Sequence, residues 1–186
     1  MSERYDNSTA LLVLAYRGVS LPSRLIRWQT WSPYSHVALG YLDAPDQPWT
    51  QAPIVEAWTH GGVRQQINPF LGHTRGTRID AFCVDGATPE RARQAWAYAL
   101  ACVGRPYDWC AVARFLPRFG KDNPERLFCS ELVMEACASA GLRLLERIDA
   151  ARVAPGHLVT SPLLRYLGSA DDGAYPPLAY VDRECE

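Results

Sequence analysis

The chain has 186 residues, 48% of them apolar and 21% charged, and carries a formal net charge of −1 at pH 7. Those values suit one domain with a sizeable core and exclude a disordered chain. A near-neutral charge removes the general case for a nucleic-acid binder.

The opening stretch, "MSERYDNSTALLVLAYRG", mixes charges and lacks a small-residue cleavage site, so it does not read as a signal peptide. A cytoplasmic location is the expectation, with carriage by a phage or export without a cleaved signal as alternatives. No stretch approaches the roughly 20 apolar residues of a membrane-spanning helix. A single domain over 1–186 is expected, with its core at about 11–165.

In chain order, Leu11–Tyr16 reads as a buried strand. Residues 21–31, "LPSRLIRWQTW", read as a helix with Leu21, Leu25 and Trp28 on one face and Arg24 and Arg27 on a solvated face. Ser35–Leu42 alternates as a strand does, with His36, Ala38 and Gly40 sharing a face. Ile54–Trp58 is the next strand, with Ile54, Glu56 and Trp58 on one face. His60-Gly61-Gly62 signals a turn, after which Val63–Ile67 pairs back as a hairpin arm. Arg78–Val84 is a further strand candidate. Thr88-Pro89-Glu90 is a helix start, with a cap, a proline at the first position and an acid in the first turn. Ala92, Ala95, Trp96, Ala99 and Val103 form the apolar face of that helix. Tyr107–Phe115 reads as a second helix, and Cys129–Ala140 as a third, capped by Gly141. The segment from Pro155 onward reads as turn-rich. Strands first and helices after them predict an α+β fold with a mainly antiparallel sheet.

Six cysteines occur, none in a CxxC pair, so neither a zinc finger nor a thioredoxin motif is present. Cys102, Cys110 and Cys137 read as small buried hydrophobes. Cys129 differs in standing at a helix N-terminus, where unpaired N–H groups and the helix dipole favour a thiolate. On the helix alone, packing in the stripe of Val133, Ala136, Cys137 and Ala140 is the favoured reading.

A cysteine nucleophile needs a base, and the base an orienting group. Of the four histidines, His60 and His157 sit in turns and His73 in a polar loop without a pattern. His36 is the one on a strand, beside small side chains. Glu56 lies mid-strand, a costly place for a carboxylate unless it is solvated or paired. If the two strands pair, Glu56 can hold the imidazole. No phosphate-binding loop, no HExxH and no close metal-ligating cluster is present in sequence. No cofactor and no metal are expected. A serine nucleophile at Ser130 lacks the GxSxG elbow.

"SHVALGYL", "IVEAW" followed by "GGV", "GRPYDW" and "LFCSELV", in that order, resemble the permuted NlpC/P60 (papain-like) cysteine hydrolases. The resemblance implies a papain-like, circularly permuted α+β fold with an antiparallel sheet packed against helices. It implies Cys129 as nucleophile, His36 as general base, Glu56 as the residue orienting His36, and Tyr107 as an aid to the oxyanion. Glu131 would be structural. The implied activity is hydrolysis of amide bonds, with cell-wall-type peptides as candidate substrates, through an acyl-enzyme. An ester or lipid acyl hydrolase or acyltransferase with the same triad is the alternative, and a binding module with a vestigial site a further one. The expected partner is a peptide, amide or acyl-containing small molecule.

Overall fold

The computed structural model describes residues 10–44, 47–59, 61–106 and 128–171. Its centre is the apolar strand β1 (Ala10–Arg17), flanked by β2 (His36–Leu42) and β5 (Arg78–Val84). β3 (Ile54–Trp58), β4 (Gly62–Gln66) and β6 (Leu164–Asp171) complete a six-stranded sheet in the order β4-β3-β2-β1-β5-β6. Every pairing is antiparallel. An α+β fold with an antiparallel sheet is therefore what the chain adopts.

β1, buried on both faces, reads as an unbroken apolar run: Leu11 to Ala15 have no exposure. One face packs Leu11, Val13, Ala15, Val37, Leu39 and Val55 against the helices α2 (Pro89–Ala101) and α3 (Cys129–Ser139). Ala92, Ala95 and Ala99 line α2 there, and small side chains let the helix approach the sheet closely. Each fully buried Leu or Val in this layer contributes about 1.5–3 kcal/mol. The opposite face carries Leu14, Tyr16, Ala38, Ile54, Ile79 and Ala81, covered by Trp49 and Phe70 from loops.

Local signals account for the helix ends. The Thr88 side chain accepts from the Arg91 N–H, and Pro89 occupies the first turn of α2. In α3 the Glu131 carboxylate reaches back to the Phe128 N–H at 3.2 Å, and Gly141 takes φ +73° beyond the last turn. Ser20 caps α1 (Leu21–Thr30) by accepting from the Ser23 N–H.

Three differences from the sequence reading stand out. β6 and the short helix α4 (Pro155–Leu158) occupy a stretch read as turns. Val103 lies past the end of α2 and is 44% exposed. The apolar face of α1 is not packed: the helix has no buried residue. The helix read over Tyr107–Phe115 lies outside the described residues.

Candidate functional site

The site forms where two elements begin. His36 is the first residue of β2 and Cys129 the first of α3. α3 packs on β2 and β3 and brings Cys129 close enough to the His36 ring for the two to interact electrostatically. Leu39 stands opposite Val55 in the β2–β3 ladder, which puts His36 and Glu56 on the same face. His36 Nε2 is 2.7 Å from Glu56 Oε2. The nitrogen left for the thiol is Nδ1.

Glu56 has no exposure, and its charge is met from several sides. Arg64 stands directly opposite it in the β3–β4 hairpin. Its Nε and Nη2 both donate to Oε1, at 2.9 and 2.8 Å, two charge-assisted hydrogen bonds to one oxygen. The same guanidinium lies 4.1 Å above the Trp58 ring.

His73 completes the cluster. The loop carrying it is folded by Asn68, whose side chain accepts from the Phe70 and Leu71 N–H groups, and is tied to the sheet by the Tyr16 hydroxyl donating to the Pro69 carbonyl. The His73 ring stacks on Tyr16 at 4.2 Å and meets Trp58 edge-on at 5.0 Å. Its Nε2 is 3.2 Å from Glu56 Oε2 but is poorly aligned, so this buried nitrogen has no hydrogen-bond partner of good geometry.

The electrostatics follow from burial and contact. Burial opposes charge on His36, yet its interactions with Cys129 and Glu56 outweigh that and push its pKa up to about 10. Burial works against a charged Glu56 too, but the bond to His36 and the contact with His73 hold it well below the usual carboxylate range. His73 goes the other way: its burial outweighs the attraction of Glu56 and lowers its pKa.

The sequence-predicted residues Cys129, His36 and Glu56 thus meet in one cluster. Tyr107 lies outside the described residues, as does His60. Ser130 is fully buried and its hydroxyl donates to the Val153 carbonyl, an arrangement that ties down the loop before α4. His157 is exposed and its Nδ1 accepts from the Ala154 N–H. Sequence reasoning missed Arg64 and His73. The hairpin pairing of β3 with β4 carries the signal for Arg64, since it places position 64 across from 56. No periodic signal marks His73, which arrives on a loop.

Among the described residues, His36, Glu56 and His73 are the group that can hold a metal ion, with one ligand atom from each lying within 4.8 Å of the others. Two imidazoles and a carboxylate are a zinc-type donor set, and the unpartnered His73 Nε2 suits it. The Arg64 cation on Glu56 weighs against a second positive charge there.

Comparison with protein-family models finds no match, nor does comparison with curated proteins. Among solved structures, the chain is similar to the metalloprotein yiiX of Escherichia coli O157:H7, a DUF1105 protein. The TM-score is 0.63 at 18% identity, over 87% of this chain and 97% of that one. The chain therefore shares the fold of that protein, and this finding corrects the resemblance to permuted NlpC/P60 hydrolases. The motifs behind that resemblance are short. They mark a histidine strand and a cysteine helix, a pairing that does not identify one family.

Proposed function

We propose that the chain is a cysteine hydrolase of amide bonds, a peptidase or amidase. The observation that supports it is the hydrogen-bonded pair His36–Glu56 with Cys129 beside it at a helix N-terminus. A thiol facing an imidazole whose tautomer is held by a carboxylate is the arrangement that thiol nucleophiles need.

The Cys129 sulfur attacks the substrate carbonyl, and His36 holds the thiol proton as imidazolium. The first intrahelical bond of α3 runs from the Leu132 N–H to the Phe128 carbonyl. The Cys129 N–H, in the first turn, is thus placed to donate to the oxyanion. As the C–N bond breaks, His36 returns the proton to the leaving amine and a thioester remains. Water then attacks the thioester with His36 as base, releasing the acid and restoring the thiol. Glu56 stabilises the imidazolium throughout.

The test is alkylation by iodoacetamide at neutral pH, read by mass spectrometry on the native chain and on Cys129→Ala and His36→Ala. Selective labelling of Cys129, slowed at least about 100-fold without His36, is expected. Even labelling of several cysteines, indifferent to His36, overturns the reading. Amide and ester panels then separate a peptidase or amidase from an acyl hydrolase or acyltransferase.

A second reading draws on the grouping of His36, Glu56 and His73 and on the metalloprotein similar in fold. A zinc-type ion held by these three side chains would supply Lewis-acid chemistry. Elemental analysis of the purified protein decides it: stoichiometric metal, lost in His73→Ala, favours this reading over the thiol one.

A further inference from the structure

Helix α1 joins β1 to β2 and is solvent-exposed along its apolar face. Leu21 is 79% exposed, Leu25 59% and Trp28 72%, and these positions recur at the spacing of one helical face. Trp31 follows at 92% exposure, just past the helix end. Its backbone is left-handed, at φ 51° and ψ 35°, a conformation that a C-terminal cap ordinarily gives to glycine or asparagine. The fold gains no burial from this tryptophan. Contiguous exposed Leu and Trp of this kind mark an interaction surface.

The charge beside the stripe selects the occupant. No Asp or Glu occurs between residues 7 and 42. Arg24 is exposed and Arg27 half-buried, and among the described residues neither has a carboxylate partner. Leucines and tryptophans along one face, flanked by arginines that have no carboxylate partner among the described residues, are the composition of a helix that lies in the headgroup region of a bilayer. Among the described residues no helix is long and apolar enough to cross a membrane, so α1 would lie on the surface and not span it.

We propose that α1, with Trp31, is an interfacial anchor that docks the protein on an anionic lipid bilayer. Leu21, Leu25, Trp28 and Trp31 enter the boundary between headgroups and acyl chains, and Arg24 and Arg27 meet the lipid phosphates. α1 leads through a short turn into His36, so docking would hold the site close to the membrane surface. The proposal does not rest on the reaction proposed above.

The experiment is co-sedimentation of the full chain with vesicles of phosphatidylcholine alone or with about one-third phosphatidylserine, alongside tryptophan fluorescence. Pelleting with the anionic vesicles, a blue-shifted emission and release at high salt are expected. Leu25→Ser with Trp28→Ser and Trp31→Ser should lower partitioning at least about tenfold. Arg24→Gln with Arg27→Gln, which leaves the apolar face intact, should lower it by about fivefold per arginine. Cys129→Ala should bind like the native chain. No pelleting at low salt overturns the proposal, as does pelleting that none of these α1 changes alters. So does a dimer in vesicle-free sedimentation velocity that the same changes abolish, which would make a second copy the occupant.

Discussion

A carboxylate without solvent contact, Glu56, is shared between His36, His73 and Arg64. Removing its charge leaves the Arg64 guanidinium without its anion and His36 without its orienting partner. Glu56→Gln is expected to slow Cys129 alkylation about tenfold or more and to cost about 3 kcal/mol in urea unfolding. Ser130→Ala should separate structure from chemistry: loss of the bond to the Val153 carbonyl costs about 1–3 kcal/mol with labelling of Cys129 unchanged. Away from the site, burial works against charge on Asp80, but bonds from Ser169, Tyr34 and Arg17 prevail and lower its pKa. A depressed carboxylate stabilises the fold above its unfolded value of about 4, and that stability is lost as pH falls through the lower folded value. Thermal melting across acidic pH should show this loss, and Asp80→Asn should flatten it. Glu56 was readable because it breaks a strand pattern, and His36 because it stands on a strand beside small side chains. His73 was not, because a loop has no period against which a residue can stand out.

The β3–β4 hairpin shows what a single turn position must accommodate. Gly62 has φ +81°, and a Cβ there would lie 2.1 Å from the Arg105 carbonyl oxygen. That carbonyl accepts from the Val63 N–H, and the Gly104 N–H donates back to the Val63 carbonyl. Gly62→Ala should therefore cost more than about 2 kcal/mol in thermal unfolding. Gly61→Ala is the control: φ is +96° but nothing lies within 4 Å, so only the backbone strain of about 1 kcal/mol is expected. Most elements were legible. β1 announces itself by an unbroken apolar run, and α2 by its cap and proline. β6 does not, since an edge strand that is mostly exposed needs no alternation to hold it. The stripe on α1 was legible as a stripe, but a hydrophobic face tells nothing of whether protein covers it.

At the scale of the molecule, the cluster joins the first half of the chain to the second: His36 and Glu56 come from the strand-rich part, Cys129 from the helical part. Antiparallel order around β1 brings them together, and the sequence shows the two halves without showing how they meet. The sheet is open, and among the described residues β6 pairs with β5 alone. Along that rim Ala81 faces Gly168 and Phe82 faces Tyr166, so Leu167 is an extra residue that bends the strand. A bent edge is a poor template for another chain, which makes Leu167 a guard against edge-to-edge aggregation. Deleting it would straighten the rim, and light scattering on mild heating should then rise at a lower temperature than for the native protein.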